Sequence, residues 1–220
     1  MSEKGQKVNG EKSGFWIEYH PNGVVAKHAN YLKGKLDGPY KFWNAAGILE
    51  SEGDFKDDVK SGHWNEYLAT GEKESDGNFI NGEKSGWWKL YWPSGKLKTE
   101  GNQVNGLQQG PYVFYYENGK VSGEGLLVNS LYQDLWKFYN ESGSLKRGAS
   151  YVRDTLHGYC TFYESGHKSA EGNYIMGKKD GLWKYYDSNG KLTGTEEKVL
   201  DVSEGDDFNY YPRPSFFPMI

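Results

Sequence analysis

The 220-residue sequence predicts an all-β fold, an elongated single sheet built from about eight antiparallel β-hairpins. Three observations carry that prediction. The chain repeats itself every 24 residues, each copy places aromatic residues at fixed positions, and each copy is punctuated by glycine at fixed positions. Composition agrees: aromatics are 16% of the chain and glycine contributes 30 residues. Aromatic side chains favour strands and glycine favours turns.

The copies start at Gly14, Gly38, Gly62, Gly86, Gly110, Asp134, Gly158 and Gly181, with a 24-residue interval except for a final one of 23. The third position reads Trp16, Tyr40, Trp64, Trp88, Tyr112, Trp136, Cys160, Trp183. The sixth reads Tyr19, Trp43, Tyr67, Tyr91, Tyr115, Tyr139, Tyr163, Tyr186, and the tenth column is glycine throughout. A later column holds Gly53, Gly77, Gly101, Gly125 and Gly172, with Ala29 and Ala149 in its other places. Val8–Ser13 matches Ile80–Ser85, so residues 1–13 read as the second half of a repeat. Residues 14–194 then hold eight repeats, and residues 195–220 form a separate tail.

Within a repeat, Gly86–Trp92 reads as a short aromatic strand and Pro93-Ser94-Gly95 as a turn. Asn22-Gly23, Asn118-Gly119 and Asn189-Gly190 occupy the same turn, where Asn-Gly suits the positive φ values of a tight hairpin. A returning strand follows, then a second turn at Asn-Gly-Glu-Lys-Ser-Gly. Period-two alternation puts the third and fifth positions on one face and the sixth on the other. A single hairpin is marginal in water, so neighbours must stack to cover their aromatics.

The stretch Gly77-Asn-Phe79-Ile-Asn-Gly82-Glu-Lys-Ser-Gly86 resembles a MORN repeat, with an aromatic framed by glycines, and Gly95 fits the same spacing. The variant with Trp or Tyr at the third position is similar to the bacterial MORN-like repeats of YwqK-type antitoxin proteins, over residues 5–194. The resemblance implies a hairpin array used for interaction, and within that class a binder that neutralises a toxin.

Chemistry-bearing constellations are absent from the sequence. His20, His28, His63, His157 and His167 fall in different columns, and none is paired at metal-ligand spacing. Cys160 stands in the Trp/Tyr column and reads as a small core residue. Glu50, Glu52, Asp54, Glu72, Glu74, Asp76 and Glu100 read as solvated strand faces rather than as a glycosidase pair. Lys12, Lys60 and Lys84 of the recurrent Lys-Ser-Gly read as turn charges that blunt sheet edges. No catalytic residue, metal site or cofactor is expected. A net charge of −4 with signs interspersed argues against nucleic acid, and no apolar run is long enough for a membrane span. One cysteine and a polar start point to a cytoplasmic protein.

The function expected is therefore a non-catalytic protein-binding scaffold, antitoxin-like within its class, with a partner of unknown identity and self-association through open sheet ends left open. Its candidate binding residues are the third-column aromatics Trp16, Tyr40, Trp64, Trp88, Tyr112, Trp136 and Trp183. The alternative is a carbohydrate or cell-wall module that uses exposed aromatic stripes. The tail is acidic (Glu196, Glu197, Asp201, Glu204, Asp206, Asp207) and then aromatic and Pro-rich. Phe208, Tyr210, Tyr211, Phe216 and Phe217 there read either as a cap on the last hairpin or as a docking peptide.

Overall fold

A computed structural model describes residues 2–200. It is all-β: seventeen antiparallel strands and, among the described residues, no helix. The chain divides into two compact units, Met1–Gln108 and Gln109–Ile220. The first carries β1 (Glu3–Val8), β2 (Glu11–Tyr19), β3 (Val25–Leu32), β4 (Lys35–Trp43), β5 (Leu49–Lys56), β6 (Val59–Tyr67), β7 (Lys73–Ile80), β8 (Glu83–Tyr91) and β9 (Leu97–Val104). The second carries nearly all of β10 (Leu107–Tyr115), then β11 (Val121–Val128), β12 (Leu131–Tyr139), β13 (Leu145–Val152), β14 (Thr155–Glu164), β15 (His167–Ile175), β16 (Lys178–Tyr186) and β17 (Leu192–Lys198). Within each unit every strand pairs with its sequence neighbours, as a hairpin repeat requires. Within each unit the extensive strand–strand contacts are those between sequence neighbours.

Asn-Gly serves two different turns. At Asn81-Gly82 both residues have positive φ, 51° and 80°, which is the two-residue type I′ hairpin matched to strand twist. At Asn22-Gly23 only the glycine does, at 82°. There His20 N–H bonds the Val24 carbonyl at 2.8 Å and Gly23 N–H bonds the His20 carbonyl at 2.9 Å. That pattern is a longer loop with a left-handed glycine at its exit, so the expectation of paired positive φ values at the first turn is corrected. The Asn22 side chain instead links successive turns. Its Oδ1 accepts from Val24 N–H, and its Nδ2 donates to the Ala45 carbonyl of the next turn.

Turns stack on turns at both ends of the hairpins. Gly34, Asp58 and Gly82 N–H donate to the carbonyls of Lys12, Leu36 and Lys60, one repeat earlier. Asn44 and Asn118 donate to Ala69 and Glu141, one repeat later. Each repeat is thus tied to its neighbours by loops as well as strands.

The aromatic core is seated by glycine. The Trp of each aromatic strand lies flat across the preceding strand. A Cβ added at Gly5, Gly53, Gly77, Gly125 or Gly172 would stand within 2.2–2.4 Å of the ring of Trp16, Trp64, Trp88, Trp136 or Trp183. Four of these indoles then donate Nε1–H to the carbonyl one residue past that glycine, as Trp88 does to Asn78 at 3.1 Å. Where the column holds Ala29 or Ala149 instead, the residue eleven places on is Tyr40 or Cys160 and not Trp. The half-repeat strand β1 supplies Gly5 and so seats Trp16. The strand β17 runs to Lys198, which places residues 195–198 in the last hairpin rather than in the tail. The tail residues Phe208, Tyr210, Tyr211, Phe216 and Phe217 lie outside the described residues.

Candidate interaction surfaces

The first face of each unit is the Trp side, and the third column is its core. Trp64, Trp88, Tyr112, Trp136 and Trp183 are at most 1% exposed, Trp16 is 3% exposed, and Tyr40 is half-buried. The six buried rings offer no face to a partner, which corrects their sequence assignment as a binding surface; Tyr40 is not covered in this way. For the five Trp residues the reason is the close seat on the glycine column, a contact eleven residues away in sequence.

A cation covers the outer side of most of these rings. Lys60 Nζ lies 4.1 Å from the Trp64 ring centroid, Lys84 4.2 Å from Trp88, Lys12 4.5 Å from Trp16 and Lys179 4.1 Å from Trp183. Each lysine stands four residues before its Trp, and each is on a strand. The Lys-Ser-Gly lysines are therefore not turn charges, as the sequence suggested, but partners of the core. Such contacts contribute about 0.5–2 kcal/mol each, depending on desolvation.

The second face carries a polar row. Sixth-column tyrosines donate to the carboxylate fifteen residues earlier: Tyr67 to Glu52 at 3.0 Å, Tyr91 to Asp76 at 2.7 Å, Tyr139 to Glu124 at 2.7 Å, and Tyr186 to Glu171. Burial, reinforced by the carboxylate each one faces, pushes the Tyr67, Tyr91 and Tyr139 hydroxyls up to about 12. Glu171 also receives Lys168 at 2.6 Å and the Tyr159 hydroxyl. Burial alone would raise its carboxyl; the three donors outweigh burial and hold it at about 2. These acids are thus held as acceptors in a structural network, each tyrosine standing diagonally across the strand pair from its acid. Cys160 is fully buried and its thiol is pushed up by burial, the state of an inert core residue. Among the described residues no group of three His, Cys, Asp or Glu could hold a metal ion, and no helix is long and apolar enough to cross a membrane.

The apolar groups that do face solvent stand one position before the Trp column, on the second face. In the first unit Phe15 and Trp87 are 54% and 46% exposed, and Leu32 and Ile80 beside the type I′ turns are more than half exposed. In the second unit the same column offers Leu135, Tyr159 and Leu182, each about half exposed. The polar row orients two of them, since Trp87 Nε1 donates to Glu100 at 3.1 Å and Tyr159 bonds Glu171. The sequence reading passed over this column because Pro39, His63 and Pro111 interrupt it. The signal that could have found it was the alternation itself: with the third column buried, the second must face out.

An antiparallel array of hairpin repeats with a glycine-seated aromatic core defines an all-β repeat protein. Segments 14–33, 36–57, 85–105, 108–129 and 179–197 match the family described as MORN repeat variant, so the array is MORN-like, and repeats of this kind are generally associated with binding scaffolds. No curated protein matches the chain. A chain in the structure described as "Crystal Structure of TcdB2-TccC3-Cdc42" aligns over 81% of this chain and 12% of its own length, at 10% identity and a TM-score of 0.20, too low to inform function.

Proposed function

We propose that the protein is a non-catalytic scaffold that binds another protein through the exposed second-column residues. The observation that carries this reading is that column: Phe15 and Trp87 in one unit, and Leu135, Tyr159 and Leu182 in the other, held outward by a hydrogen-bonded sheet. Large side chains fixed in place lose little entropy on binding, and exposed aromatic and aliphatic groups are what protein interfaces enrich. Its finer form is an antitoxin-like binder with one tight partner. The carbohydrate reading keeps only Phe15, Trp87 and Tyr159 as platforms and ranks second.

The test is affinity capture from the source cells with the wild-type chain, a Phe15→Ser/Trp87→Ser variant and a Leu135→Ser/Leu182→Ser variant. One stoichiometric protein, lost from either double variant while the thermal midpoint holds, supports the reading. Capture that is indifferent to both, or glycan-array binding lost with Trp87→Ser, would overturn it.

A further inference from the structure

In three repeats the loop after the aromatic strand donates side-chain hydrogen bonds to the same loop of the next repeat. His20 and Tyr116 donate to the carbonyls of Trp43 and Tyr139, in the next sixth column, at 2.7 Å each. Asn22, Asn44 and Asn118 donate to the carbonyls of Ala45, Ala69 and Glu141, in the next eighth column. The seventh repeat has lost both kinds of donor. Glu164 stands where His20 and Tyr116 stand, and a carboxylate only accepts. Gly166 stands where Asn22 and Asn118 stand, because this loop is one residue short. Ser165 and Gly166, at φ 50° and 84°, close it as a type I′ turn between Glu164 and His167. Beside the short turn lies a cavity of about 290 Å³, with Glu164, His167 and Lys168 on one side and Tyr186, Asp187 and Ser188 of the eighth repeat on the other. Tyr186 and Ser188 hold the sixth and eighth columns there, and no side chain among the described residues donates to their carbonyls. Asp187 accepts the N–H groups of Asn189 and Lys191 on Oδ1 alone. Lys168 is already held by Glu171 at 2.6 Å. The lining thus offers two carboxylates and two carbonyls, and its ammonium is committed.

We infer that this cavity takes the guanidinium of an arginine side chain presented by a partner protein. The group supplies from outside what His20, Asn22, Tyr116 and Asn118 supply from within the chain. A guanidinium carries five N–H donors in one plane, against three on a lysine ammonium, and so serves several acceptors at once. The cavity is at the small end for ligand pockets, which suits one side chain rather than a larger molecule. The inference rests on the reading of the protein as a protein binder, and it uses none of the second-column residues.

Titration of the full chain with N-acetyl-arginine amide near neutral pH, followed by amide NMR shifts, tests it. Saturable shifts at residues 165–169 and 186–188 are expected, with a Kd of about 1 mM, as befits a single side chain. The neutral isostere N-acetyl-citrulline amide on the wild type, and the arginine probe on Glu164→Gln, should each bind about fivefold more weakly or worse. Glu164→His, which supplies the donor that the first repeat carries, should abolish binding without lowering the thermal midpoint. Phe15→Ser/Trp87→Ser should bind the probe as the wild type does, so this result is separate from that of partner capture. Equal shifts with the citrulline probe, binding retained by Glu164→His, or shifts spread over the sheet overturn the inference. Binding of N-acetyl-lysine amide as tight as that of the arginine probe overturns the choice of arginine.

Discussion

The two units run the same repeat with different chemistry on their first faces. In the first unit the fifth column is Glu18, Phe42, Glu66 and Leu90, and in the second Phe114, Phe138, Phe162 and Tyr185. Glu18 bridges Lys12 and Lys27 at 3.0 and 2.8 Å; Glu66 accepts from Lys60 at 2.9 Å and from Ser75 at 3.0 Å. The same lysines rest on Trp16 and Trp64, so ion pair and ring contact share one cation. In the second unit Lys179 keeps the cation over Trp183, but the equivalent of Lys60 on β12 is Tyr132, packed 4.4 Å from Trp136, and that indole stacks between Phe114 and Phe138. The difference teaches that the Trp-on-glycine seat is the invariant, while its lid is either an ionic network or a run of rings.

The seat offers the largest effect. Gly77→Ala puts a Cβ where the Trp88 ring lies, and a loss of about 3 kcal/mol is expected in urea unfolding. Gly125→Ala beneath Trp136 should cost as much, because the seat is the same in both units. Ala149 and Cys160 sharpen the rule. Cys160→Trp alone should destabilise strongly, and adding Ala149→Gly should recover at least half of the loss. A double variant no better than the single one would show that glycine does not license the Trp.

The acid limb comes next. Glu171 is held at about 2, below its ordinary value of 4.5. Its folded-state pKa is depressed, so its stabilisation is present above about pH 4.5 and is lost as pH falls towards 2. Glu171→Gln should therefore lower stability near neutrality by on the order of 2 kcal/mol and flatten the pH dependence between about 5 and 2. An unchanged acid limb by circular dichroism would remove Glu171 from the network.

Salt separates the two lids. Burial alone would raise the Glu66 carboxyl, but Lys60 and Ser75 hold it below its ordinary value. Raising ionic strength should speed amide exchange in β2–β7 more than in β11–β15, a difference Glu66→Phe should erase around Trp64. Lys84→Met, which removes the cation from Trp88 and its weaker attraction to Glu66, should cost about 0.5–1 kcal/mol. Smallest of all, Leu135→Ser on the exposed column should move stability within about 0.5 kcal/mol while affecting partner capture.

Much of the fold was legible because period and turn chemistry are local. The repeat placed the hairpins, and alternation put the sixth-column tyrosines on the face opposite Trp, where Tyr91 reaches Asp76. The candidate site was less legible. Trp88 looked like a binding residue because its covering partners, Gly77 and Lys84, carry no aromatic signal of their own. Trp87 beside it is the exposed one.

The sequence by itself determined the repeat, the strand order within it, the two turn positions and the array's β character, since each follows from residues a few places apart. Only the tertiary structure decided which aromatics are core and which face solvent, that one Asn-Gly makes a type I′ turn and another does not, and that the lysines serve rings. Those outcomes depend on what the neighbouring strand presents eleven or fifteen residues away. Burial is a property of that pairing and not of the residue.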